Sequence, residues 1–194
     1  MIDPSIAEKS SDEALISLTL KDQDYFVEII RRYQGKLFSY IIRISGVSAE
    51  DAEDVLQDIF LKIYLNLNDF DTNQKFSSWA YAIAHNQVIS QYRKRQARPE
   101  GHAVNLEDSA AKNLMIDFDL LKDLDLRRSK ELISQVLESL EPKYREVLVL
   151  KFLTEQTYQE ISDIIKKPLG TVASLMNKAK EEFRREVTSR KINF

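Results

Sequence analysis

Three groups of side chains in this sequence have the types and spacing to do chemistry or to recognise a partner. The first is acidic: Asp54, Gln57 and Asp58 share a helical face at i, i+3, i+4 spacing, with Asp51 one turn before them. Carboxylates in the opening turns of a helix are favoured by the macrodipole whatever their role, whereas an acid and amide stripe beside an apolar one suits a protein partner. The second group alternates aromatics and amides. Trp79, Tyr81, Asn86, Gln87, Gln91 and Tyr92 lead into Arg93, Lys94, Arg95 and Arg98. Aromatic rings are platforms for unstacked bases, and amides hydrogen-bond base edges. The same rings read equally as core, Trp79 above all, and the cations as a solvated helix end. In the third group, Lys166, Lys167, Lys178, Lys180, Arg184, Arg185, Arg190 and Lys191 face only Glu181, Glu182 and Glu186. Such an excess neutralises phosphates, which must precede any reading of bases.

Catalysis finds no comparable support. His85 and His102 stand in different segments, without a metal-binding pair, a glycine-rich phosphate loop or a nucleophile elbow. The absence of cysteine removes disulfides, thiolate metal sites and cysteine nucleophiles. No catalytic residue, metal or cofactor is assigned.

The elements that must position these groups are helices. Among 194 residues, 4 Gly and 4 Pro supply too little turn chemistry for a many-stranded sandwich or barrel, while 43% hydrophobic and 30% charged residues lie in the globular range. An amphipathic stretch at residues 12 to 20 predicts a small helix. A long helix follows from Asp24 as N-cap, through Phe26, Ile29, Tyr33, Leu37 and Ile41, to Gly46 as a stop. Ser48 and Asp51 open a helix carrying Ala52, Val55, Ile59, Phe60 and Ile63 on one face. Ser77 is the predicted cap of another, running through Trp79, Ile83, Val88 and Tyr92 until Pro99.

This closes a first domain over residues 1 to 98. Residues 99 to 126 carry seven acids against Lys112 and Lys122 and read as an acidic linker, with a weak helix near 114 to 124. A second domain, 127 to 194, holds an apolar face of Leu132, Ile133, Val136, Leu137 and Leu140, a break at Glu141 and Pro142, and a helix over 144 to 152. Thr157 and Glu160 then form a capping box, KKPLG makes a turn, and Thr171 caps the last helix. Helix, short turn, helix is the helix-turn-helix pattern, although the same pieces also describe a plain helical hairpin. The fold class is therefore all-α: two small helical domains joined by an acidic linker, the second containing a helix-turn-helix. The N-terminus has neither a basic segment nor an apolar one of leader type, and no apolar run is long enough to span a bilayer, so no membrane insertion is expected and the location expected is cytoplasmic.

In that order, the pieces resemble the bacterial RNA polymerase sigma factors of the extracytoplasmic-function group, two-domain type. FVEIIRRYQGKLFSYIIRISG with AEDVLQDIFLKIYLNL, and KFSSWAYAIAHNQVISQYRKR, resemble the two halves of the promoter-melting domain. LESLEPKYREVLVLKFLTEQTYQEISDIIKKPLGTVASLMNKAKEEFR resembles the minus-35-binding domain. The resemblance implies a transcription initiation factor that binds core RNA polymerase and promoter DNA, duplex at minus 35 and single strand at minus 10. It implies that Asp51, Asp54, Gln57 and Asp58 dock on the polymerase's clamp helices. The minus-10 strand would be met by Asn73, Lys75, Trp79, Asn86, Gln87, Gln91, Arg93, Lys94 and Arg95. The minus-35 duplex would be met by Thr171, Ser174, Asn177, Lys178 and Lys180. An anti-sigma factor is the expected inhibitor, and the linker would thread the polymerase's RNA path. The chain departs from the family at Ala173 and Leu175, where basic residues are usual, which removes direct guanine contacts. A stand-alone helix-turn-helix regulator is the rival reading; an acidic face and a strand-reading helix argue against it.

Overall fold

The computed structural model describes residues 10–96 and 124–190, with the side chains of 95–96 and 124–130 left aside. Arg95's side chain, His102, Pro99 and the weak helix expected near 114 to 124 lie outside the described residues. Packing separates the chain into two compact units that divide between residues 111 and 112, within the stretch read as linker. All regular structure among the described residues is helical.

In the first unit, the small amphipathic stretch is helix α1, Asp12–Thr19, capped by the Ser11 hydroxyl, which accepts the Ala14 amide at 3.2 Å. Its Leu15 and Ile16 are buried outright. Asp24 does not cap the long helix as expected. Asp22 has the extended backbone a cap requires and accepts the Asp24 amide at 3.1 Å, starting a 3-10 turn at Gln23–Tyr25. Helix α2, Phe26–Ser45, continues from that turn and stops at Gly46, whose φ of 64° is the left-handed conformation that glycine adopts freely. Ile29, Tyr33, Leu37, Tyr40 and Ile41 form its buried stripe.

Helix α3, Ala49–Leu65, is capped by Ser48 and buries Ala52, Val55, Ile59, Phe60 and Ile63, each worth about 1 to 3 kcal/mol for the larger side chains. Helix α4, Phe76–Gln96, starts two residues before the Ser78 start that a Ser77 cap predicts. The amide of Phe76 is taken by the Glu13 carboxylate of α1 at 3.0 Å, so the end of this helix is closed from 63 residues away. Edge-to-face ring pairs, Tyr33 with Phe76 and Tyr40 with Tyr81, fasten α4 to α2 at centroid distances of 5.1 and 5.3 Å.

The second unit starts with α5, Leu124–Ser139, which enters the stretch assigned to the linker by three residues. Val136, Leu137 and Leu140 of its predicted face are buried, and Leu132 and Ile133 are half-buried. Pro142 stands at the first position of α6, Pro142–Leu148, where its missing N–H costs nothing. The helix predicted over 144 to 152 is thus α6 followed by a single π turn, Val149–Leu153. Helix α7, Tyr158–Ile165, has the predicted capping box: the Thr157 hydroxyl accepts the Glu160 amide at 3.2 Å, and the Glu160 carboxylate accepts the Thr157 amide at 2.6 Å. Helix α8, Leu169–Ser189, has Pro168 in the N-cap position without a side-chain cap, so Thr171 lies inside the helix rather than capping it.

Candidate nucleic-acid and protein interfaces

The acidic stripe is held on α3 from both ends. At the start, the Ser48 hydroxyl accepts the Asp51 amide at 3.2 Å and donates to the Asp51 carboxylate at 2.9 Å. Asp51 is half-buried in this cap, while Asp54, Gln57 and Asp58 are exposed, opposite the buried stripe from Ala52 to Ile63. At the far end, the amide nitrogen of Gln87 on α4 donates to Asp58 Oδ2 at 2.8 Å. The amide oxygen of Gln87 accepts from Lys62 Nζ at 2.5 Å.

Gln87 is thereby removed from the strand-facing set in which the sequence placed it. Its side chain is 7% exposed and spent on α3. The reason is angular: α4 buries Phe76, Ala80, Tyr81, Ala84 and Val88, and residue 87 falls on that inward side, whereas Asn86, one step around, is exposed. Ser90, Arg93 and Lys94 continue the outward side, and Gln91 is half-buried. Tyr92 is also exposed.

The loop before α4 is built by Asp71. Its carboxylate accepts the Asn73 backbone amide at 2.9 Å and the Asn73 side-chain amide at 2.8 Å. The backbone hydrogen bond, then the side-chain one, holds the Asp71 carboxyl below the usual carboxylate range. Asn73 and Lys75 are exposed on this turn. Trp79 is half-buried, with its ring 5.2 Å from Phe70 and 5.9 Å from Phe76, so it is the wall on which the loop rests, with one side reaching the surface.

In the second unit the turn between α7 and α8 is shorter than KKPLG. Lys166 takes the left-handed conformation at φ 54°, and its amide bonds to the Ser162 carbonyl. The Ser162 hydroxyl in turn donates to the Lys167 carbonyl at 2.6 Å, and Pro168 opens α8. Gly170 is already helical, so the glycine does not make the turn. Val172, Met176 and Ala179 are buried. Thr171, Ser174, Asn177 and Lys178 project together on the exposed side. Lys180 is half-buried, with its ammonium 5.7 Å over the Phe152 ring. Ala173 and Leu175 flank the outward row as half-buried residues.

Two surfaces on one unit and a helix-turn-helix on the other match two family models in the same order. Sigma-70 region 2 matches residues 29–98, and sigma-70 region 4 matches residues 130–183. The "ECF RNA polymerase sigma factor SigW" of Bacillus subtilis (strain 168) is 34% identical over 175 residues, covering 86% of this chain and 90% of that protein. The chain belongs to the ECF RNA polymerase sigma factors. A second relative, the "ECF RNA polymerase sigma-E factor" of Escherichia coli (strain K12), is 30% identical over 184 residues, 91% of this sigma factor and 94% of the relative. The fold is similar to that of CnrH, solved in complex with the cytosolic domain of CnrY, at a TM-score of 0.65 and 19% identity, over 93% of this chain and 99% of that one. It is also similar to that of the sigma factor RpoE, solved with the anti-sigma factor NepR from Bartonella quintana, at a TM-score of 0.63 and 20% identity, over 87% and 98%.

As a sigma factor the protein directs RNA polymerase to promoters and is not an enzyme. A stand-alone helix-turn-helix regulator leaves the region 2 match unexplained. Among the described residues, no helix is long and apolar enough to cross a membrane.

Proposed function

We propose that this sigma factor acts in the cytoplasm, docks on core RNA polymerase through Asp51, Asp54, Gln57 and Asp58, and captures the minus-10 strand with the loop and outer side of α4. Asn73, Lys75, Asn86, Arg93 and Lys94 are the exposed members of that strand-reading set, and Trp79 supports them from below. The outward row of α8, Thr171, Ser174, Asn177 and Lys178, meets the minus-35 duplex. Residues 1 to 98 form the melting domain and 127 to 194 the minus-35 domain, with 99 to 126 joining them. An anti-sigma factor is the inhibitor; the likeness in fold to RpoE, solved with such a partner, supports this.

The observation that carries the reading is the face of α3. Three polar side chains, two of them acidic, stand exposed on a helix whose opposite side is fully buried, and the outermost, Asp58, is anchored to the strand-reading helix. Asp54 and Gln57 stand outside the fold's own core. The test is Asp54→Lys with Asp58→Lys, assayed by comigration with purified core polymerase. Core affinity is expected to fall by about 2 to 5 kcal/mol, and Asp54→Lys alone, which leaves the Gln87 hydrogen bond to Asp58 intact, is expected to weaken binding with the melting temperature retained. Unchanged core affinity overturns the docking assignment.

A further inference from the structure

We infer that Gln87 is a positioning residue that keeps Asp58 available to the polymerase by holding Lys62 away from it; the inference rests on the docking role of Asp58 proposed above. Asp58 and Lys62 stand four apart on α3, acid before base, the order in which a helix most readily forms a direct ion pair. Both residues are exposed. Among the described residues, however, they are bridged rather than paired. The carbonyl of Gln87 takes the Lys62 ammonium at 2.5 Å, and its NH₂ donates to a single oxygen of Asp58 at 2.8 Å.

Only one orientation of an amide satisfies both charges at once, with oxygen to the cation and nitrogen to the anion. Burial of Gln87 fixes that orientation, because the side chain is 7% exposed and cannot trade either partner for water. Asp58 therefore spends one acceptor oxygen on the amide while keeping its negative charge unneutralised. A side chain unable to bridge would release Lys62 onto Asp58, and the resulting pair would have to break before Asp58 could meet a basic partner. The same amide ties α3 to α4 immediately beside Asn86, so the face that docks and the face that reads the strand are held in one register.

The experiment is a mutant cycle read by core polymerase affinity. Gln87→Leu, apolar and unable to bridge, is expected to weaken binding about tenfold, the size of coupling found between side chains in contact. In a Lys62→Met background the same Gln87→Leu change is expected to alter affinity by less than about twofold, because the competing cation is gone. Gln87→Asn, one methylene too short to reach both partners, gives the same comparison if the leucine variant does not fold. Equal weakening with and without Lys62, or no weakening with Lys62 present, overturns the inference. Asp58→Asn separates the two levels. If it leaves core affinity unchanged, the docking role fails and the positioning role with it; if it weakens binding while Gln87→Leu does not, only the positioning role fails.

Discussion

Removing the carboxylate of Glu13 tests whether helix α4 depends on a cap supplied by α1. Glu13 Oε1 accepts the Phe76 amide at 3.0 Å, and Phe76 is fully buried, so truncating Glu13 leaves that amide without its protein acceptor. An orphaned buried donor costs about 1 to 3 kcal/mol, and loss of a helix cap typically costs about 1 kcal/mol. These describe one hydrogen bond and do not add, which sets Glu13→Ala near 2 kcal/mol, roughly the middle of that range. Glu13→Gln keeps an oxygen acceptor and loses only the charge at a helix start, at a cost of about 0.5 kcal/mol. The single Trp of the chain, Trp79, sits in the first turn of this helix against Phe70 and Phe76, so its fluorescence reports on this unit alone. Urea unfolding should show the midpoint falling markedly for Glu13→Ala and slightly for Glu13→Gln, with unchanged slope. A Glu13→Ala midpoint within error of wild type, or a glutamine variant as damaged as the alanine one, refutes the cap.

Ala173→Arg with Leu175→Arg should keep the fold, since both positions are half-buried and an arginine stem can lie along apolar surface, and should shift minus-35 duplex preference toward guanine by about 1 to 3 kcal/mol per pair. Fluorescence anisotropy on paired oligonucleotides decides it, and an unchanged preference counts against the placement of α8. Lys166→Gly should stabilise the second unit by about 0.5 to 1 kcal/mol, because an exposed lysine holds a left-handed conformation there that glycine takes without strain. Calorimetry would show no gain if Lys166 is otherwise held. At high pH, Tyr33 and Tyr81 should resist ionisation: burial, aided at Tyr33 by Asp12, raises both well above the ordinary phenol value. A group whose folded pKa is raised contributes stability below its unfolded value, about 10 for tyrosine, and loses it as pH climbs from there. Ultraviolet titration should therefore leave Tyr33 and Tyr81 protonated until the first unit unfolds, and ionisation of every tyrosine before that unfolding would refute it.

Features whose hydrogen bonds close within one turn of helix were determined by the sequence itself. The Thr157 and Glu160 capping box, the Ser48 cap, the Gly46 stop and the buried stripe from Ala52 to Ile63 depend on neighbours three and four residues away, and each is legible in residue type and spacing. The acidic face of α3 follows from the same periodicity, since the side opposite a buried stripe must meet solvent or a partner. What required contact between distant segments could be settled only by tertiary structure. The cap of α4 comes from Glu13 because α1 packs there, not from the nearby Ser77 that local chemistry favours. Lys166 rather than Gly170 bends the chain before α8, because the packing of Val172 and Met176 draws the helix start back to Leu169. Asn86 and Gln87 are both amides on the same turn and differ in sequence by nothing that marks a role. A rotation of about 100° per residue leaves one facing outward and carries the other beneath α3, where Asp58 and Lys62 claim both ends of its side chain.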